Sequence, residues 1–518
     1  MTVRIVTAAL VASCLSVGIA SAQAPGPASA DALTRRLSIE DAVRLALENN
    51  LGIQAARLSP QIQDLTLAQS KASWAPTVTS SFQQSSTDSP ATSFLSGGQT
   101  KTSDDRSSGG LALQQLTRWG GSYSIGWDNS RATTTNVFSN FSPQTRSSMS
   151  LHVQQPLARN YGIDNARQQV LVGQKNREIA DIDLQQTLAT TSRTVRHAYW
   201  DLAFALASLQ VQQQSLELAQ ESLRNTRARV DIGTTPPIDI VEAEAEVATR
   251  QEAVILAQAQ IETSEDTLRA LIFNPTAPDF WTIRIEPTDL PRFEPAAVNL
   301  DGVIRTALDR RTDLLQSRKS LEANDVTIRF FRNQILPDVS ASVDYGLSGL
   351  GGTQFLRGTG FPGPIVGQTT RGFGSVLGDI FTNAYPVWTV GLNVSYPLGS
   401  SVQQANLAKA RVQYTQAQTQ LKNQELQVAA QVRNAARQVS TNQQRVQTTR
   451  VSRELAERRL DAEQRKFAAG TSTSFVVFQA QRDLAVARNN ELRAILDFNR
   501  SLVDLDTVQQ APLVATTR

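Results

Sequence analysis

The sequence predicts a mainly α-helical chain with a membrane β-barrel portion, built as a duplicated unit of helix, strands, very long helix and shorter helix. Three observations predict it. Two very long stretches carry apolar residues at seven-residue spacing, short runs of strict apolar–polar alternation precede each of them, and the same order of signals occurs twice. The first long stretch, 164–232, has no proline and one interior glycine, Gly173. Its seam reads Leu188, Val195, Leu202, Leu209, Leu216, Leu223 and Val230, with small companions at Ala198, Ala205 and Ala219. A strict seven-residue repeat keeps one seam aligned only if the helix supercoils on a partner. At about 1.5 Å rise per residue the helix is roughly 100 Å long. The second stretch, 404–468, reads Leu407, Tyr414, Leu421 and Val428, then steps by four to Val432, Val439, Val446, Leu460 and Phe467, with Arg453 interrupting the apolar run. A four-residue step is a stutter that locally unwinds a supercoil.

Composition narrows the function classes. In 518 residues, 50 Lys+Arg against 47 Asp+Glu leave a net charge of +3, too little to call for nucleic acid. Two histidines, His152 and His197, and one cysteine, Cys14, leave little for a zinc, haem or thiol site, so no cofactor is expected. Residues 1–22 read as a secretory signal. Arg4 supplies the positive end, an apolar run extends from Ile5 to Ile19, and Ala20-Ser21-Ala22 supplies small residues for cleavage. Val11-Ala12-Ser13-Cys14 offers a rival lipoprotein reading with Cys14 acylated, although the residues after Cys14 stay apolar. An exported chain without spanning helices is secreted, periplasmic or inserted as a β-barrel.

In chain order, 23–37 is a linker and repeat 1 runs 38–273, with helices over 38–75, strands over 77–157 and a coiled-coil hairpin over 164–273. A proline-rich linker, 274–298, carries Trp281. Repeat 2 runs 299–503, with helices over 299–336, strands over 338–397 and a hairpin over 402–503, and 504–518 is a tail. Ser38 with Asp41 three residues on marks a helix start. Val43, Ala46, Leu47, Arg57, Pro76 and Val78 match Ile304, Ala307, Leu308, Arg318, Pro337 and Val339 at one constant offset, which establishes the repeat. Val78 and Phe82, Leu111 and Leu113, Tyr123, Ile125 and Trp127, and Met149, Leu151 and Val153 alternate with polar neighbours in copy one. Val339 to Leu347 and Trp388 to Tyr396 do so in copy two, giving four strands and two. The extra hairpin around Trp119-Gly120-Gly121 leaves four or six strands per chain open. Ser/Thr/Gly-rich segments at 85–108, 132–146 and 349–385 read as surface loops. Membrane barrels begin at about eight strands, so one chain cannot close one, whereas a cyclic oligomer can.

The arrangement resembles the TolC-type outer-membrane efflux proteins over nearly the whole mature chain. The resemblance rests on Ser38-Ile39-Glu40-Asp41-Ala42, Gln155-Pro156-Leu157 and two helix–turn–helix tips. The first tip is Arg229-Val230-Asp231-Ile232-Gly233-Thr234-Thr235-Pro236-Pro237-Ile238-Asp239, and the second is Phe467-Ala468-Ala469-Gly470-Thr471-Ser472-Thr473-Ser474-Phe475. The resemblance implies a homotrimer in outer-membrane lipid, its tunnel extending into the periplasm to meet a periplasmic adaptor and an inner-membrane pump, with adaptor-docking tips at Gly233, Thr234, Thr235, Pro236, Gly470, Thr471, Ser472 and Thr473. It implies passive conduction of efflux or type I secretion substrates, with the choice of cargo left to the adaptor and pump. It also makes Asp239 and Glu242 candidates for an acidic ring at the tunnel entrance, although both equally suit a helix N-terminus. The corresponding places after the second tip are Val476 and Gln479. The tyrosine and arginine that help lock the entrance in a well-known relative fall on Phe467 and Ser472. A non-pore coiled-coil surface protein would explain the seams but not the strands. An enzyme would rest only on isolated acidic pairs such as Asp104-Asp105.

Overall fold

Capping and turn residues set where each element begins, and the apolar seams set what it packs on. The computed structural model describes residues 34–90, 100–289, 291–295, 297–360, 363–399 and 401–509. The expected signal over 1–22, with Cys14, and residues 510–518 of the expected tail lie outside the described residues. The chain opens with β1 (Thr34–Leu37), α1 (Ile39–Asn49) and α2 (Leu51–Ala72). Ser38 caps α1, its hydroxyl accepting from the Asp41 amide at 3.1 Å, which satisfies a donor the first turn leaves free. Next come β2 (Thr77–Pro90), β3 (Lys101–Leu116), β4 (Ser122–Thr134), β5 (Phe141–Pro156), α3 (Asn165–Asp231) and α4 (Ile238–Ile272). After β6 (Arg284–Pro287), copy two supplies α5 (Leu300–Arg310), α6 (Thr312–Gln334), β7 (Asp338–Arg357), β8 (Ile365–Arg371), α7 (Phe373–Phe381), β9 (Pro386–Ser395), α8 (Val402–Ala468) and α9 (Ser474–Gln509).

The duplication extends to individual contacts. Helices α3 and α8 are each 67 residues long. Arg57 donates to the Leu47 carbonyl and its counterpart Arg318 to the Leu308 carbonyl, both at 3.0 Å. Helices α2 and α4 cover the upper and lower parts of α3, while α6 and α9 cover those of α8 and also lie against α3. The helical columns therefore run α2/α4, α3, α6/α9, α8. On α3 the seam residues Val195 and Leu202 are buried, as are Ala198, Ala205 and Ala219, whose size permits close approach. On α8, Val428 and Val432 on either side of the stutter pack with Ala307 and Leu314, whereas Val439 and Val446 pack with Ala494 and Phe498. The four-residue step thus falls where α8 changes partner from α5–α6 to α9. Arg453, which breaks the seam, is neutralised by Glu491 of α9 at 2.5 Å.

The proline-rich linker does more than join the copies. Its strand β6 pairs in parallel with β1, Thr34 opposite Arg284 and Leu37 opposite Pro287. Ile283, Ile285, Phe273 and Phe280 close a core with Val43, Ala46, Tyr199 and Leu202. The Tyr199 hydroxyl donates to the Leu37 carbonyl and accepts from the Asp289 amide, both at 3.0 Å. Burial pushes this phenol above its ordinary pKa. Trp281 remains 73% exposed on the rim of that core.

The strands form one antiparallel sheet in the order β2-β3-β4-β5-β7, with β8 and β9 both on the far edge of β7. β8 pairs with Gly352–Arg357 and β9 with Asp338–Leu347, so the two share one lane that α7 interrupts. Two expectations are corrected here and one open choice is settled. Copy two holds three strands rather than two, because 349–385 continues β7 and contains β8 and α7 instead of a loop. Residues 85–90 and 101–108 are strand rather than loop, as are 132–134 and 141–146. Four plus two lanes make six, which removes the four-strand alternative. Over 85–90, 101–108, 132–134 and 141–146 the ladder continues with mostly polar residues, and over 349–357 glycines break the apolar row, so alternation stops while hydrogen bonding does not.

Candidate functional site

Cross-strand partners in an antiparallel sheet share a face, so the register shows what each face presents. One row crosses all six lanes as Val78, Leu113, Ile125, Leu151, Tyr345 and Trp388. The adjacent row, on the opposite face, reads Thr77, Gln114, Ser124, His152, Asp344 and Thr389. The first is wholly apolar and the second wholly polar. His152 Nδ1 lies 2.6 Å from Asp344 Oδ1 on the polar face. On the apolar face Phe82, Trp388, Val390 and Leu392 are each more than 60% exposed, with no layer of the described residues over them. Such a sheet suits a boundary with lipid on its apolar side and water on its polar side.

Both ends of this assembly are unfinished. β2 at one edge of the sheet is exposed throughout, and β9 at the other is exposed at every residue but Gly391. The helices repeat the pattern. The free flank of α2 and α4 exposes Leu58, Ile62, Leu65, Ile255 and Leu256, while that of α8 exposes Val412, Leu426, Val451 and Leu455. Because six lanes alternate in direction, β9 of one copy would lie antiparallel to β2 of the next.

At the opposite end of the molecule, both tips use one device. Gly233 and Gly470 adopt φ of 77° and 75°, a left-handed conformation that a side chain would strain. The Gly233 amide donates to Val230 and the Thr234 amide to Arg229, both at 2.9 Å. In the second tip Gly470 donates to Phe467 at 3.1 Å and Thr471 to Lys466 at 2.9 Å. These are two Schellman caps, and the Thr234 and Thr471 hydroxyls bond the same Arg229 and Lys466 carbonyls. Helix α4 restarts at Ile238 with Pro237 at its cap and no side-chain capping bond. Pro236 and Thr473 are exposed, Thr235 is half-buried, and Ser472 donates to Glu463 of its own hairpin at 3.0 Å. The bond to Lys466, and next that to Ser472, holds the Glu463 carboxyl below its ordinary pKa.

The two tips are linked to each other. Asp239 accepts from Ser474 at 2.9 Å, whereas Glu242 stands exposed. The Arg229 guanidinium lies 4.3 Å from the Phe467 ring centroid and donates to the Phe467 carbonyl at 3.1 Å. Glu246, only 6% exposed, joins Arg250 at 2.7 Å and Arg482 of α9 at 2.9 Å. Between α3, α8 and α9 lies a cavity of about 540 Å³, lined by Arg229, Phe467, Phe478 and Gln481. The sequence reading placed Phe467 and Asp239 at the entrance but missed Arg229, Glu246 and Arg482. The i,i+4 spacing of Glu246 and Arg250 was a visible signal for one of these pairs. The link from Glu246 to Arg482 depends on tertiary packing and had none.

These features define an outer-membrane β-sheet protein with a helical extension. Residues 42–272 and 303–508 match the outer membrane efflux protein family, so the chain belongs to that family. The protein resides in the outer membrane, with its helical part in the periplasm. It is 22% identical over 294 residues to the outer membrane efflux protein BepC of Brucella suis, covering 57% of this chain and 51% of that one. It is 22% identical over 333 residues to the outer membrane protein TolC of Escherichia coli, covering 62% of each. The chain thus spans about half to three fifths of these curated relatives. Among solved structures, the outer-membrane channel OprN superposes with a TM-score of 0.64 at 19% identity over 91% of this chain and 89% of that one. The Campylobacter jejuni outer membrane channel CmeC gives 0.63 at 13% identity over 91% and 85%. At these identities the likeness concerns the fold.

Proposed function

We propose that this chain is one subunit of a trimeric channel-tunnel that passively conducts substrates of a tripartite efflux or type I secretion system out of the periplasm. The observation that carries the reading is the pair of open edges, present in the sheet and in the helices alike. The edge formed by β9 and α8 in one copy meets the edge formed by β2, α2 and α4 in the next. Such a contact is heterologous and closes into a ring. Three copies of six lanes give 3 × 6 = 18 strands, within the even-numbered range of membrane barrels. The polar row with His152 and Asp344 then faces the lumen, and the three α3–α8 sets form the tunnel wall.

In this reading the tips dock a periplasmic adaptor that couples the channel to an inner-membrane pump. Gly233, Thr234, Gly470 and Thr471 shape the turns, and Thr235, Pro236, Ser472 and Thr473 supply neighbouring surface. Asp239 and Glu242 are the acidic candidates at the entrance, and the contacts Arg229–Phe467, Asp239–Ser474 and Glu246–Arg482 hold the two tips of one subunit together in a closed state. Selectivity then comes from width and lining charge rather than from a binding step. Planar-bilayer recording of the purified protein tests the reading. Ion-permeable steps are expected, with longer openings in Arg229→Ala. Protein that inserts yet never conducts, in either form, would contradict it and favour a non-pore coiled-coil role.

A further inference from the structure

The helix α7 has no part in the pore. It leaves the strand lane after Arg371 and returns at Pro386, so it interrupts the far edge of the sheet just beyond the apolar rows. Gly349 and Gly351 of β7 make its seat, since a Cβ on Gly349 would run into the Val376 carbonyl and one on Gly351 into the Val376 side chain. These glycines alternate in step with Leu347, Tyr345 and Val343, so α7 lies on the apolar face of the sheet. Val376 and Ile380 are buried against it.

The flank beside that seat is apolar too. Phe373 is 46% exposed and Phe381 83% exposed, with Leu377 between them at helical spacing. The helix carries one charge, Asp379, and Arg371 neutralises it through two hydrogen bonds of 2.8 and 2.9 Å. Its C-terminus is pinned to the belt. Asn383 takes the left-handed conformation at φ 57°, and its side-chain carbonyl accepts from the Tyr345 hydroxyl at 2.7 Å. Two residues after Asn383 comes Tyr385, 55% exposed, and then Trp388 of the apolar row. The apolar surface of α7 is therefore continuous with the lipid-facing belt, at the end far from the periplasmic helices.

We propose that α7 is an interfacial anchor that sinks Phe373 and Phe381 into the acyl chains of the outer leaflet, at their junction with the headgroups. A short apolar helix seated on the outer face of the sheet is held at the depth the sheet gives it, which here lies beside the level where aromatic girdles sit. The proposal rests on the sheet spanning the membrane, and the test separates the two. Full-length protein with Cys14→Ser is reconstituted in phosphatidylethanolamine–phosphatidylglycerol vesicles and nitroxide-labelled at Phe381→Cys, Val390→Cys or Thr389→Cys. Relaxation by oxygen is then compared with relaxation by a water-soluble nickel chelate. The Phe381 label is expected to favour oxygen as the Val390 label does, several-fold more than the lumen-facing Thr389 label. A Phe381 label that favours the chelate, or that neither reagent reaches because a neighbouring subunit covers it, overturns the anchor while Val390 upholds the belt. A Val390 label that favours the chelate overturns both.

Discussion

Copies one and two are built from the same parts, yet their long helices end in different situations. Helix α3 has neighbours on both flanks, α2 and α4 on one side and α6 and α9 on the other, whereas α8 has α5, α6 and α9 on one flank and, among the described residues, no helix on the other. Internal duplication therefore satisfies both flanks of one long helix within the chain and leaves one flank of the other uncovered among the described residues. Sequence periodicity is equally good in both, so the heptads show that partners are required without showing where they come from.

Substitutions on the two helices should separate these cases. Leu202→Ala in the buried α3 seam is expected to destabilise the subunit itself by about 2–5 kcal/mol, read as a lower thermal midpoint of unassembled and assembled protein alike. Leu426→Asp on the open α8 flank, where the side chain is 72% exposed, should abolish assembly while removing no contact inside the subunit. An oligomer that survives Leu426→Asp would break the comparison. A smaller effect is expected where the tips of the two copies meet. Glu246→Gln leaves the Arg250 and Arg482 charges less compensated in a largely buried site, costing about 1–3 kcal/mol and accelerating amide exchange at the starts of α4 and α9. Exchange confined to one of the two helices would show that the link does not couple them.

The caps offer a symmetric control. Gly233→Ala and Gly470→Ala each meet open space, so only the left-handed backbone is strained, at about 1–2 kcal/mol each. Equal fraying of both tips is expected by hydrogen exchange, and unequal fraying would show that another contact holds one turn. The smallest effect concerns the flank of α3 against α6. Lys175 bonds Glu322 and Lys319 bonds Glu178, both at 2.8 Å. Those bonds lower the pKa values of Glu178 and Glu322 and raise those of Lys175 and Lys319. A carboxylate with a depressed folded pKa stabilises above its ordinary value and stops doing so as pH falls through the folded one; a lysine with a raised pKa does so below its ordinary value until pH rises through the raised one. The network is thus fully stabilising between the ordinary glutamate and lysine ranges. With side chains between 27% and 46% exposed, screening limits each pair to under about 1 kcal/mol. Glu178→Gln should flatten the acid limb of a stability–pH profile, and an unchanged limb would remove the network from the account.

Much of this was legible because the long elements obey one period over many turns. The 67-residue helices, the Ser38 cap and the glycine turns were all readable from local sequence. What stayed hidden was set by contacts distant in the chain. The four-residue strands β1 and β6 find each other across the whole first repeat. β8 and α7 lie in a Gly/Thr-rich segment whose strand pairing shows only when β7 is alongside. The Arg229–Phe467 contact joins residues from the two copies, so neither tip alone betrays it.

The ring itself is tested most directly by weighing it. Native mass spectrometry of the protein extracted from outer membranes in mild detergent is expected to give one particle with three times the mass of the denatured chain, and no lighter folded species. A folded, monodisperse single chain under the same conditions would contradict the account, because its β2 and β9 edges and its α8 flank would then be stable without a neighbour.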